Sequence, residues 1–359
     1  MKVNSSELKI LLELLAPCLA SSNFLPILSM VCFDTKGVYA FNDLVGTDFP
    51  WEHGLPPVAV DGKALLSFLS KLKDQELTLD STTSGKLKIT GKGIEASLPT
   101  MGPDDFIFKR PAAKGLAATI SGVNVLQRLA EAIDVAATSS VSSVYKNVTL
   151  GTQKGSSLFA YATDGPALTH ARIGSLNEKL DQERTWIVPK LAMEQIIAAG
   201  KAGNDPIAIN LSLADDALVM DNKDTVVYSK ILQGNAPDFV KAVSETPVCT
   251  IADWAKDDLL TALETAEVIC DSFLSTCHVG IEKQTVTIHA RDGKGEFKTT
   301  IKVPVDPPDT NFQFSINPAQ VIRAFKFKEI AGPLEITNRY LAFGTKAEFL
   351  YAVTFSRKT

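Results

Sequence analysis

Three stretches of this chain repeat one plan at a long, constant interval. They are "VAVDGKALLSFLSKLKDQELTL" (58–79), "WIVPKLAMEQIIAAGKAGNDPIAIN" (186–210) and "FSINPAQVIRAFKFKEIAGPLEIT" (314–337). Each runs from an extended segment into a helical pattern and then into a short alternating strand. Lys63, Lys190 and Pro318 stand near the helix starts, 127 (190 − 63) and 128 (318 − 190) residues apart. A period that long marks repeated domains, because solenoid repeats recur every 20 to 50 residues or so. The helix starts have a physical basis. Asp and Asn side chains accept hydrogen bonds from the orphan N–H groups of a first turn, and Pro suits the first helical position. Asp61, Pro189 and Asn317-Pro318 fill those roles.

A second helix series precedes the first in each unit: "SSELKILLELLAPCL" (5–19), "GVNVLQRLAEAIDVAA" (122–137) and "DWAKDDLLTALETAEVI" (253–269). Leucines at three- and four-residue spacing give each one an apolar stripe to lay on a core. The rest of the chain alternates apolar and polar residues in short runs punctuated by Ser-Gly, Lys-Gly and Asp-Gly, the mark of antiparallel hairpins. The predicted fold class is therefore α+β, with two helices on meandering sheet in each of three repeated domains. A chain of 359 residues is too long for one ordinary core. Breaks near Pro111–Gly115 and Ser244–Pro247 divide it into 1–115, 116–245 and 246–359.

Composition narrows the chemistry. The formal charge of −5 excludes a globally basic coat but leaves room for a local basic surface. No apolar run is long enough for a bilayer crossing, and residues 1–20 lack a signal-peptide cleavage pattern, so a cytoplasmic location is expected. The five cysteines form no close pair, which argues against a disulfide framework or a zinc site, and no metal or other cofactor is expected. "GTQKGS" and "GKGIEAS" lack the residue order of a phosphate-cradling loop. Cys277, His289 and Asp292 could form a nucleophile, base and orienting acid, which is the one hydrolase reading the residues offer. Against it stand the missing nucleophile elbow and oxyanion loop. Cys277 and His278 are adjacent and, on a strand, point to opposite faces. Asp257 and Asp258 suit a helix start.

The segment "FAYATDGPALTHARI" (159–173) poses the sharpest local question: its Asp-Gly could be a catalytic acid, a metal loop or a turn. Asp and Gly both tolerate tight-turn backbone, and Asn42-Asp43 and Asp292-Gly293 stand at loosely corresponding points in the first and third units. A recurring turn is the simpler reading.

The motifs "LPIL" (25–28), "GTD" (46–48), "ATDGPAL" (162–168), "IVPK" (187–190), "SKILQGNAPDF" (229–239) and "LYAVTFSRK" (350–358) follow one another across essentially the whole chain. In this order and spacing they resemble the bacterial sliding clamp, the β subunit of DNA polymerase III. The resemblance implies a protein without enzymatic activity: a head-to-tail homodimer whose six domains form a ring around duplex DNA, helices lining the hole. It tethers polymerase, and takes short hydrophobic peptides from polymerase or clamp loader in a groove between the second and third domains. A clamp-like scaffold that recruits other proteins is the alternative within the same fold.

Carried across by position, the groove wall comprises Thr163, Gly165, Pro166, Ala167 and Leu168, Pro237, Lys241 and Ala242, Ala352 and Thr354, with Lys146 at a position that is leucine-like in the family. The resemblance also places Ala96 and Leu98 opposite Ile269 and Cys270 at the dimer interface. The chain departs from the family at Pro166-Ala167, where His-Arg is common, at Lys146, and at the tail "TFSRKT", which lacks a Met-Pro-x-Arg-Leu ending. It also has Ser22-Asn23 where a basic residue often precedes "LPIL". A phage or mobile-element clamp with its own partner motif would show such changes.

The second helices carry a positive balance within an acidic chain. Lys63, Lys71 and Lys73 against Asp61 and Asp74 give +1; Lys190 and Lys201 against Glu194 give +1; Arg323, Lys326 and Lys328 against Glu329 give +2. Phosphate attraction would appear on these helices. The candidate DNA-facing residues are Lys63, Lys71, Lys190, Lys201, Arg323 and Lys326. In the first helices, by contrast, Lys9, Arg128 and Lys256 are outnumbered by acids.

Overall fold

The computed structural model describes residues 1–21, 25–82, 85–102, 105–106, 115–120, 124–138, 143–153, 155–202, 209–214, 216–222, 225–270, 275–328, 330 and 332–357. The expected break at Pro111–Gly115 lies outside them except for Gly115, and so do Ser22-Asn23. Seven helices are described: α1 Ser5–Leu15, α2 Gly62–Leu69, α3 Val125–Asp134, α4 Lys190–Ala202, α5 Phe239–Ala242, α6 Lys256–Ile269 and α7 Pro318–Lys326. Six of them are the two series expected from sequence. Helices α2, α4 and α7 begin 128 (190 − 62) and 128 (318 − 190) residues apart, so the sequence period is also a structural one.

The caps explain why the helices begin where they do. Asn4 Oδ1 accepts from Ser6 N at 2.8 Å, Asp61 Oδ1 from Ala64 N at 2.8 Å, and Asn317 Oδ1 from Ala319 N at 2.9 Å. Each cap contributes about 1 kcal/mol relative to alanine. Pro318 occupies the first turn of α7, where its missing N–H costs nothing. Helix α6 has no side-chain cap, but Asp257 and Asp258 lie in its first turn, where the helix dipole favours them.

The chain forms two compact units. The first comprises residues 1–123, 175–179 and 188–233. Its α1 buries Leu8, Leu12 and Leu15, and its α2 buries Leu65 and Leu69. Strands Met30–Asp34, Gly37–Phe41 and Val45–Pro50 form an antiparallel meander. Val45–Pro50 then pairs with Val226–Lys230 in the register Val226↔Asp48 and Val227↔Thr47. Inside this unit Cys18 Sγ lies 3.3 Å from Thr47 Oγ1, which donates at 3.1 Å to Gln195 Oε1 on α4.

The second unit comprises residues 124–174, 180–187 and 234–359. Strands Val148–Thr152 and Gly155–Thr163 pair antiparallel, and Thr169 Oγ1 fastens the next strand to α3 through the Ala132 carbonyl at 3.0 Å. A long-range seam decides the geometry. Ala167–Ala171 pairs antiparallel with Phe349–Val353, placing Leu168 opposite Ala352. A separate five-stranded sheet runs through Cys277–Glu282, Thr285–Asp292, Gly295–Lys302, Asn311–Ile316 and Ser356–Arg357.

Candidate functional site

The Asp-Gly of the 159–173 segment is a turn tied down from three sides. Thr163 Oγ1 donates to the Ala167 carbonyl at 2.6 Å and accepts from Gly165 N at 3.0 Å. Asp164 Oδ1 accepts from Ala167 N at 2.8 Å, while Gly165 has φ +102°, which a side chain would strain. The Pro166 carbonyl accepts twice from Thr354, from N at 2.8 Å and from Oγ1 at 2.9 Å. On the helix side, Asp164 Oδ2 accepts from Arg323 Nη1 at 2.9 Å and Gln320 Nε2 at 3.4 Å. Both oxygens of Asp164 thus hold structure together. No group of three or more potential metal ligands converges among the described residues.

Beside the turn lies an apolar cleft of ≈ 180 Å³. Its walls include eight residues expected from sequence: Thr163, Gly165, Pro166, Leu168, Pro237, Ala242, Ala352 and Thr354. Ala167 is buried, its N and carbonyl engaged by Asp164 and Thr163 within the turn, and Lys241 and Lys146 are exposed; none of the three lines the cleft. Tyr145, Phe239, Val243 and Tyr340 complete the lining and were not anticipated. Phe239 stood inside the quoted "APDF" motif; the other three carried no local signal.

The floor is built from two apolar clusters that share Leu168. One joins Phe159, Tyr161 and Phe239; the other joins Val243, Tyr340, Ala342, Leu350 and Ala352. Phe239 is set by its helix start, where Asp238 Oδ1 accepts from Lys241 N at 2.9 Å. Beneath it Tyr161 stacks on His170, ring centroids 5.0 Å apart. Burial pushes the Tyr161 hydroxyl up to about 12. It pushes His170 down to about 4, with the Lys346 charge adding to the effect, so the imidazole is neutral near pH 7.

The cleft is an apolar trough with hydrogen-bonded polar edges, and its described lining includes no cysteine, histidine, lysine or carboxylate. The hydrolase reading fails on geometry. Cys277 is fully buried and its thiol is pushed up to about 12 by burial, with Cys270 adding to the effect. His289 lies on the opposite face of the sheet, paired across strands with His278 and bonded at 2.7 Å to Glu296.

Comparison with known proteins places this architecture. No family model matches the chain. The β sliding clamp of Rickettsia bellii is 26% identical over 194 residues, 52% of this chain and 49% of that protein. The alignment thus spans about half the length of the curated relative. The DNA polymerase III β subunit of Pseudomonas aeruginosa superposes with a TM-score of 0.86 over 100% of both chains at 14% identity. That of Thermotoga maritima gives 0.84 over 100% of both at 19%. A Pseudomonas aeruginosa clamp crystallised with griselimycin gives 0.86 at 14%, covering 100% of this chain and 99% of the other.

This chain has the fold of the bacterial β sliding clamp. Within that clamp fold the remaining candidate residues divide clearly. Lys63, Lys71, Lys201 and Lys326 are exposed, Lys63 reaching the Ala20 carbonyl at 3.3 Å, and Lys190 is half-buried. Arg323 differs from them, since its guanidinium is bound to Asp164. Ala96, Leu98 and Ile269 are half-buried, and Cys270 is buried as the residue that caps α6. Ala96 and Leu98 lie on Ile94–Met101, which over 94–99 pairs along one side with Lys86–Gly91. Ile269 lies beside Gly295, which opens the edge strand Gly295–Lys302, and its neighbour Val268 is 70% exposed.

Proposed function

We propose that this protein is a DNA sliding clamp: a homodimeric ring of six domains that encircles duplex DNA without sequence preference and tethers a polymerase through the apolar cleft. The observation that carries the reading is the cleft itself, built at the Ala167–Val353 seam of a full-length clamp fold from residues that the clamp resemblance had nominated. Tethering acts through effective concentration, because a polymerase that releases the primer end stays close to it. Such a protein catalyses nothing and needs no cofactor. A cytoplasmic location fits; no described helix is long and apolar enough to cross a membrane.

The three-domain division at 1–115, 116–245 and 246–359 is part of this proposal, supported by the 128-residue recurrence of the second helices. Two strand edges support the ring. Among the described residues, Ile94–Pro99 and Gly295–Lys302 each have one side paired, and each carries half-exposed apolar residues nearby. Edge strands left in that state invite pairing with another chain. Lys63, Lys71, Lys190, Lys201 and Lys326 would supply a weak, sliding field for the phosphates.

Light scattering of the native protein across a concentration series tests the ring, and titration with griselimycin tests the cleft. The expected results are a particle of twice the chain mass and saturable binding that Ala352→Trp removes by filling the cleft. A monomer at all concentrations would overturn the ring. Absence of griselimycin binding would remove the support for a clamp-type groove.

A further inference from the structure

We infer that Arg323 serves the groove and not the DNA: it is a positioning residue that, through Asp164, fixes the turn forming one groove wall. This rests on the cleft being the partner site proposed above. Charge counting along α7 groups Arg323 with Lys326, but the two occupy different surroundings. Lys326 is exposed, whereas the Arg323 side chain is 30% and that of Asp164 16% exposed. Their 2.9 Å contact is joined by Gln320, one helical turn earlier, whose amide reaches the same carboxylate oxygen. Tyr351 closes the set, donating its hydroxyl to the Gln320 carbonyl at 2.8 Å.

The Asp164 carboxylate bridges the turn and α7. One of its oxygens accepts from Ala167 N within the turn, and the other accepts from α7. The turn in turn supplies Gly165 and Pro166 to the cleft, and the Pro166 carbonyl holds Thr354 on the opposite strand. Moving Arg323 toward a phosphate would leave the Asp164 carboxylate largely buried without its cation, which is costly. An arginine that neutralises a buried carboxylate at close range has little charge left for a distant polyanion. Asp164 and Arg323 therefore act as one element that sets the position of the Thr163–Ala167 turn and, through it, of Thr354.

The test compares Arg323→Ala, Arg323→Lys and Lys326→Ala in the full-length protein with three readouts. Amide hydrogen exchange reports the turn directly, without any ligand. Griselimycin affinity reports the groove. The salt dependence of binding to a short duplex reports DNA contact. In Arg323→Ala, exchange in 164–168 and at Thr354 should rise by about tenfold or more, with griselimycin affinity falling at least about fivefold and the salt slope unchanged. Arg323→Lys should restore part of both losses, because it returns the charge. Lys326→Ala should do the reverse, lowering the salt slope and sparing the turn.

Unchanged exchange in Arg323→Ala would overturn the inference, and so would a drop in its salt slope equal to that of Lys326→Ala. A wild type that ignores griselimycin would count against the proposed groove, and exchange would still decide the role of Arg323.

Discussion

The Phe239 ring lies flat on Tyr161, centroids 4.9 Å apart and planes inclined by 14°. One face of Phe239 is floor to the cleft while the other is packed on the sheet, so a single side chain joins groove shape to core stability. Truncation to alanine removes the stacking and opens a cavity at a 4% exposed position, which costs about 3–5 kcal/mol for a buried aromatic. Phe239→Ala should lower the urea midpoint accordingly and weaken griselimycin binding. Phe239→Leu, which keeps part of the apolar volume but not the flat ring, should lose less of both. An alanine variant with the stability and affinity of the wild type would show that the ring is not the floor.

His170 continues the same stack and makes the stability of this region acid-sensitive. It is 3% exposed, and its Nδ1 has no hydrogen-bond partner among the described residues. The folded-state value of about 4 lies below the ordinary 6.5. Between those two values the unfolded chain binds a proton that the folded chain does not, so stability falls as pH falls from 6.5 to 4 and is complete above 6.5. The loss approaches about 3 kcal/mol, at roughly 1.4 kcal/mol for each pH unit of depression. Unfolding midpoints measured from pH 8 to pH 4 should decline across that window in the wild type, and decline less in His170→Phe. Identical pH profiles for the two would exclude His170 as the titrating group.

All five thiols should be inert in the folded protein. Every cysteine is buried, and Cys18 and Cys249 are pushed up to about 11 and Cys277 to about 12, chiefly by burial. Since the thiolate is the reactive form, alkylation at pH 8 should be at least about a hundredfold slower in native protein than in denaturant, where all five react. Rapid native modification of Cys277 would return the hydrolase reading to consideration.

Much of this was legible in sequence, and the reason is locality. Caps such as Asp61 and Asn317 and leucine stripes such as Leu8, Leu12 and Leu15 act within one or two helical turns, so the helix pairs and their period show in the residues alone. The opposed faces of the adjacent Cys277 and His278 followed from strand alternation, which is equally local, and the pairing of His289 with His278 across the strands then sets His289 apart from the thiol. The pairing of Leu168 with Ala352 joins residues 184 (352 − 168) positions apart, and nothing nearby announces it. Tyr145, Val243 and Tyr340 were missed for the same cause, since only the seam brings them to one cleft. Arg323 shows the limit of counting charges: its partner lies 159 residues away, and the sequence cannot reveal that the charge is already neutralised.

Assembly gives the last prediction, because the two open strand edges make a demand that burial alone does not. Leu98 and Ile269 are neither fully buried nor fully exposed, and Val268 is the most exposed of the large apolar residues that stand out at the surface. In a head-to-tail ring these groups would leave water together with the strand edges, so a carboxylate placed among them would be buried without a partner. Leu98→Asp and Ile269→Asp should each weaken dimerisation by at least about a hundredfold, equivalent to roughly 2.8 kcal/mol. Neither should shift the melting temperature of the isolated chain by more than a few degrees, because both positions retain access to solvent when the ring is open. Sedimentation of each variant across a concentration range measures the effect. If both remain dimeric at the wild-type midpoint, the dimer forms through another surface, and the edges at 94–99 and 295–302 have to be assigned a different partner.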